Sequence, residues 1–227
     1  MSDWTLNPNG VLKTRETFVT VKLREAIIRG YFQPGQKLDQ NEIAEIFKVS
    51  RSPVREALRT LAAEELIKVY PHRGAIVAEL SLEELEEIYF LRGVLEGTAA
   101  RLAASKMDDE RIAILRAILA KTNPTTDLDQ WLELNRDFHN TIYEAINRPR
   151  LLSIIQSLRN ITTPYTRRYI AFPEHMEATR VGHQRILEAL IKRDGTLAQE
   201  ETQNHLKVLC DSVLVSVESM VRSAAGA

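Results

Sequence analysis

The sequence predicts a mainly α-helical chain in two parts, a small N-terminal unit that includes a two-stranded hairpin and a larger all-helical bundle. Three observations carry this expectation. The 227 residues exceed the usual size of one domain, so a boundary is expected. Strand signals are confined to the first third of the chain, in IKVY and AIVAEL on either side of PHRG. From Ser81 onward only long amphipathic stretches occur, separated by caps and breakers. The boundary therefore falls between residues 80 and 81, giving units 1–80 and 81–227.

In the first unit, residues 1 to about 12 read as a loose arm. RETFVTVKLREAIIRG has the apolar spacing of an amphipathic helix ending at Gly30. YFQPGQKL is a turn centred on Pro34-Gly35. Asp39 with Glu42 forms a capping pattern for a short helix through Phe47, and Ser50 or Ser52 can cap the next, which runs to about Glu65. Pro53 is compatible with that third helix because a first-turn N–H needs no partner. The hairpin follows. In the second unit six helices are expected, over 82–105, 108–121, 127–146, 149–168, 174–193 and 196–221, with no internal repeat and no low-complexity tract.

Hydrophobic content of 44% and charged content of 27% are ordinary for a globular protein. No apolar run approaches the length that crosses a bilayer. MSDWTLNPNG lacks a basic region followed by an apolar stretch, so no export signal is expected. The single Cys210 excludes an intramolecular disulfide and fits a reducing cytoplasm; on LKVLCDSVLV it reads as a small buried hydrophobe rather than a nucleophile. A net charge of -1 argues against a uniformly basic nucleic-acid binder. The distribution matters more than the sum: from Lys48 to Arg73 there are six Lys or Arg against three Glu.

Two short helices, a third with basic residues at its start, and then a hairpin make the layout of a winged helix-turn-helix. In that geometry the start of the third helix enters the DNA major groove. Ser50, Arg51, Ser52 and Arg55 hold that place. Arg51 and Arg55, at i and i+4, share one face while Val54, Leu58 and Leu61 turn inward. An arginine fork can pair with guanine O6 and N7. The hairpin tip, with His72, Arg73 and Gly74, is expected to reach the DNA backbone or minor groove. VSRSPVREALRTLAAEELI together with LDQNEIAEIF resembles the N-terminal domain of the GntR family of bacterial repressors. Three positions depart from that pattern: Lys48 stands where a turn glycine is common, Asn41 where an arginine often adds a DNA contact, and Glu65 where a glycine usually precedes the hairpin.

Of the five histidines, three in the helical half, His139, His183 and His205, lie on stretches whose spacing is informative. His183 stands eleven residues before Asp194 and His205 eleven after it. Residues equidistant from a helical hairpin lie at the same height on antiparallel helices, here about 16 Å from the turn. If both face inward, their imidazoles are neighbours. Upstream, Asn135 and His139 are i and i+4 on one helix and share a face. NRDFHNTIYEAINRPRLL, GHQRILEAL and HLKVL resemble the six-helix FCD ligand domain of the FadR and VanR branch. That resemblance implies a divalent metal held by Asn135, His139, His183 and His205, with zinc, nickel and manganese equally open, beside a small carboxylate effector. Most relatives carry Asp at the first position. A neutral Asn there would bind metal more weakly and leave its charge uncompensated, favouring an anionic ligand.

Arg92 matches a family position near the effector and can alternatively pair with Glu96 at i+4. Arg159 and Arg168 are weaker candidates, because RNITTPYTRRY also reads as an exposed helix end. His175 is expected to be solvated. The overall expectation is a cytoplasmic homodimeric transcription regulator, without enzymatic activity, that binds an inverted repeat in double-stranded DNA and senses a small organic acid. Two rivals are a metal-dependent hydrolase, against which stands the lack of a carboxylate placed beside the histidines as an evident general base, and a regulator whose pocket is vestigial.

Overall fold

The structure is a computed structural model and describes residues 14–123 and 125–225. The expected N-terminal arm lies outside them. Contacts divide the chain into two compact units, Met1–Leu80 and Ser81–Ala227.

In the first unit, α1 (Arg15–Ile28) starts at Thr14, whose hydroxyl accepts from the Thr17 N–H. Its buried Val19, Leu23 and Ile27 pack against Val54, Leu58 and Leu61 of α3 (Arg51–Ala63). Arg24 clamps the far end of α3 through both carboxylate oxygens of Glu64, at 2.7 and 2.6 Å. The short α2 (Gln40–Phe47) is capped by Asp39, whose side chain accepts from the Asn41 and Glu42 N–H groups. Phe47 closes edge-on against Phe18 at 5.8 Å. Ser50 is the N-cap residue of α3 in position, but its hydroxyl makes no capping bond.

The expected two-stranded hairpin is part of a three-stranded antiparallel sheet. A strand β1 (Lys37–Leu38) pairs with β3 (Gly74–Val77), which pairs with β2 (Ile67–Tyr70). Two residues are too few for an alternating pattern, so β1 was illegible beforehand. Lys48 and Glu65, the two positions where glycine is usual, adopt left-handed φ of 53° and 60°. His72 at the hairpin tip does the same at 66°, followed by Gly74 at 83°.

The second unit comprises α4 (Leu82–Ala104), α5 (Asp109–Lys121), α6 (Leu128–Glu144), α7 (Pro149–Tyr169), α8 (Pro173–Ile191) and α9 (Gly195–Ala225). Each begins within one residue of its expected start, and α9 runs beyond its expected end at 221. Ser81 and Glu84 form a full capping box on α4. The small residues Ala99, Ala100, Ala103 and Ala104 are fully buried in a core shared with Leu115, Phe138, Ile142, Ile186 and Leu190. At the α8–α9 turn Asp194 caps α9 by accepting from the Leu197 N–H, and Arg193 takes the left-handed φ of 54°. α7 continues through Pro164. Thr162 and Thr163 bond back to carbonyls of the preceding turn there. Among the described residues no helix is long and apolar enough to cross a membrane.

Candidate functional sites

At the start of α3, Arg51, Ser52 and Arg55 are exposed, as is Ser50, while Val54 and Leu58 are buried beneath them. Arg51 makes no ion pair among the described residues, and Arg55 has one loose contact, 3.5 Å to Glu56. Glu56 is better held by Arg59 at 3.1 Å. The two guanidinium groups are thus presented rather than consumed. His72 and Arg73 are exposed at the hairpin tip, and Gly74 is half-buried where β3 begins.

In the helical unit, α6 turns Trp131, Phe138, His139, Ile142 and Tyr143 inward, a run with helical spacing. His183 comes from α8 and His205 from α9. Their ring centroids lie 4.7 Å apart, and His139 stands 5.0 Å from His183 and 5.8 Å from His205. All three are buried, and one nitrogen from each lies within 4.8 Å of the others. A point no farther than about 2.8 Å from all three therefore exists, close to the usual metal–imidazole distance of about 2.1 Å.

Local packing explains how three rings meet. His183 is stacked on Phe138 at 4.5 Å, with Trp131 beyond it at 6.5 Å. His205 lies over the backbone at Gly182, where a Cβ would come within 2.5 Å of its Nδ1. Gly182 therefore leaves the space that the third imidazole fills. His205 also lines a cleft of about 290 Å³ with Tyr169, Thr179, Gly182, Arg185 and Asn204. That cleft links the cluster to the surface.

The protonation states suit ligation. Burial, with the Arg159 guanidinium adding to it, pushes His139 well below the ordinary histidine range. Burial and the neighbouring His205 do the same to His183. Burial takes His205 down to about 4. All three are neutral near pH 7 and keep a lone pair.

A chain of hydrogen bonds selects which nitrogen of His139 carries it. The Tyr143 hydroxyl donates to Glu96 Oε2 at 2.8 Å, and its own oxygen meets His139 Nδ1 at 3.1 Å. An ionised carboxylate is acceptor-only, so the tyrosine proton is committed to Glu96. Nδ1 of His139 must then bear hydrogen, which leaves Nε2 free to bind a cation. His183 Nε2 is buried without a hydrogen-bond partner among the described residues, an orphan that a cation would satisfy. These residues fit a divalent ion. Asn135 stands one turn before His139 on the same helix, half-buried and without a hydrogen bond among the described residues.

One carboxylate does stand near the histidines, Glu96, although the sequence showed none placed there as an evident general base. It is fully buried behind them, with Oε1 accepting from Arg92 Nε at 2.7 Å and Oε2 from Tyr143. Burial opposes its charge, but Arg92 and Arg159 outweigh burial and hold its pKa below the usual carboxylate value. Each oxygen already accepts a hydrogen bond, and the lowered pKa makes the carboxylate a poor base. Arg92 also donates to Thr162 Oγ1 at 2.9 Å and lies 4.9 Å over the Tyr89 ring. Arg159, weighed as part of an exposed helix end, is instead 7% exposed, whereas Arg168 is exposed. His175 is not freely solvated: it stacks on Tyr169 at 4.0 Å and bonds that residue's carbonyl at 2.6 Å, outside the cluster.

Tyr143, four residues after His139, had a visible signal in its spacing. Glu96 was legible only as the i+4 partner of Arg92, and nothing along the chain places it or Arg159 beside the histidines, because Tyr143 and the histidines lie on other helices.

Comparison with known proteins agrees with both halves. Residues 16–77 match the gntR family of bacterial regulatory proteins, and residues 87–208 match the FCD domain. The chain is 30% identical over 197 residues to the HTH-type transcriptional repressor RspR of Escherichia coli (strain K12), covering 84% of this chain and 85% of that one. It is 31% identical over 195 residues to the repressor GlaR of the same strain, covering 81% and 89%. Among solved structures, E. coli McbR/YncC superposes with a TM-score of 0.76 at 26% identity, over 87% of this chain and 98% of that one. The chain belongs to the GntR family, its winged helix-turn-helix followed by an FCD domain, and is a DNA-binding transcription regulator.

Proposed function

We propose that the protein is a cytoplasmic homodimeric repressor whose operator affinity is set by a small carboxylate metabolite bound beside a divalent metal in residues 81–227. The observation that carries this reading is the convergence of His139, His183 and His205 in neutral form, with Gly182 making room for the third. Asn135 completes the ligand set as a neutral oxygen donor. The metal supplies a positive centre with coordination positions open to an anion.

Residues 1–80 supply DNA reading. Arg51 and Arg55 take base edges in the major groove, Ser50 and Ser52 take phosphates at the helix start, and His72, Arg73 and Gly74 form the wing contact. The repressor names of RspR and GlaR support the sign of regulation. Phe90, Leu91 and Val94 are exposed on α4, Phe90 by 68%, and provide an apolar face of the kind a two-fold interface buries. A two-fold dimer reads an inverted repeat.

An effector shifts DNA affinity only if it prefers one spacing of the paired DNA-binding units. The lever is α4, which starts at the Ser81 cap directly after Leu80 and carries Arg92 at mid-length. The test is metal analysis of the purified protein, followed by operator gel shifts with hydroxy- and keto-acids before and after chelation. Release of DNA by an acid only when metal is present is the expected result. Protein without metal whose operator complex ignores every acid would sink the reading.

A further inference from the structure

Of the three clustered histidines only His205 lines the α8–α9 cleft; it is 8% exposed, whereas His139 and His183 stand at 2% and 1%. The other sides of the cluster are closed by Trp131, Phe138 and Glu96, each fully buried, and by the buried Tyr143. A second cleft, of about 330 Å³ between the start of α5 and the end of α8, holds none of the histidines. The wall of the α8–α9 cleft carries polar groups at increasing depth. Asn204 and Arg185 are exposed, Glu201 is half-buried and His205 is buried. Glu201 and His205, at i and i+4, share a face of α9 about 6 Å apart along its axis. Among the described residues neither Glu201 nor Arg185 forms a hydrogen bond or an ion pair, with each other or with any other residue. The carboxylate is therefore available to whatever enters between the exposed Val181 and Val208.

We infer that the α8–α9 cleft is the port through which a divalent cation reaches and leaves the histidine cluster, with Glu201 as its capture residue. The inference rests on the proposed metal reading, because a port needs a cluster that takes an ion. A dication with six waters occupies on the order of 200 Å³, at about 30 Å³ per water, so a cleft of about 290 Å³ admits it hydrated. At the mouth the Glu201 carboxylate attracts the ion and Asn204 offers a neutral oxygen, donors suited to an ion that still carries water. One turn deeper, His205 exchanges part of that water for an imidazole nitrogen. The rings of His183 and His139 stand 4.7 and 5.8 Å from its own, near enough to take the ion over. Arg185 works against passage, since a guanidinium at the same mouth repels a dication. Neither Glu201 nor Arg185 coordinates the seated ion, so each acts on the barrier and changes entry and exit alike.

The test follows cobalt(II) entering full-length protein stripped of metal, by stopped-flow quenching of Trp131, whose ring lies 6.5 Å from that of His183. Release is followed into excess chelator. Glu201→Gln is expected to slow uptake by about tenfold, the lower end of electrostatic steering, and release by the same factor, with affinity kept. Its uptake should also lose most of the salt dependence seen in the wild type. Arg185→Gln should speed both steps, and Val208→Phe, which narrows the mouth, should slow both. Glu200→Gln removes the same charge one residue away and outside the cleft, and should match the wild type. Three results overturn the port: rates unchanged in Glu201→Gln, rates slowed equally in Glu200→Gln, or affinity lost in Glu201→Gln, which would make that carboxylate a ligand of the seated ion. If the wild type takes up no cobalt, the metal reading falls and the port falls with it. If cobalt binds, His205→Ala abolishes binding and the cleft variants keep wild-type rates, the port alone fails.

Discussion

At the start of α3, Arg51 and Arg55 stand in solvent with at most a 3.5 Å contact between them and any carboxylate, whereas Arg92 and Arg159 lie in the bundle at 5% and 7% exposure. The same side chain serves opposite ends in the two regions. An exposed arginine costs little to leave unpaired, so a surface can present it to a polyanion that arrives later. A buried one must have its charge answered inside, and what answers it determines which ligand can enter. The DNA-binding unit keeps its chemistry on the outside of a small finished core. The helical unit builds its chemistry into the core itself, and packing, protonation and ligand choice are coupled there.

The largest expected effect is on the exposed side. Arg51→Ala combined with Arg55→Ala should abolish specific operator binding, since each bidentate base contact is worth about 1 to 3 kcal/mol and a dimer makes it twice. Unfolding should be unchanged, because neither side chain has a firm partner. Footprinting that still protects the same palindrome would break the comparison.

Next come the buried ligands. Alanine at His139, His183 or His205 should each deplete bound metal after dialysis, while His175→Ala keeps it and loses only local contacts, the stack on Tyr169 and the bond to its carbonyl among them. Tyr143→Phe sharpens the point. It removes the hydrogen-bond acceptor that orients His139 and should weaken metal by about tenfold, the usual scale for a group behind a ligand. Unchanged metal affinity in a folded Tyr143→Phe protein would show that the Glu96–Tyr143–His139 chain does not orient the ligand.

A smaller effect separates the regions by pH. The three buried histidines stay neutral in the native state, His205 down to about 4, but take up protons below about 6.5 once unfolded. Between these limits the unfolded state binds more protons, so stability is fully present above about pH 6.5 and declines as pH falls toward 4. Urea midpoints of metal-free protein should therefore drop between pH 7 and 5. His183→Leu should flatten the slope, and a wild-type midpoint that holds steady would contradict the assigned neutrality.

The smallest effect concerns backbone in the DNA-binding unit. Lys48→Gly and Glu65→Gly should each stabilise by about 1 kcal/mol, because both positions hold left-handed φ that a side chain disfavours, partly offset by the freer unfolded chain. A lower melting temperature in either variant would mean the side chain contributes more than its strain costs.

The sequence by itself determined the order and type of nearly every element, the boundary after Leu80, the exposure of Arg51 and Arg55 over an apolar stripe, and the equal height of His183 and His205 about the α8–α9 turn. Each of these is local: helical period, caps and counting along a rise of about 1.5 Å per residue specify faces and heights. Only the tertiary structure decided how those faces meet. The strand Lys37–Leu38 exists because β3 pairs with it, and its two residues carry no pattern of their own. Glu96 meets Tyr143 across 47 residues, Arg92 meets Thr162 across 70, and Arg159 is interior although its neighbourhood reads as a helix end. Spacing along a helix says which side chains travel together but not which helix they meet or how deeply they are covered.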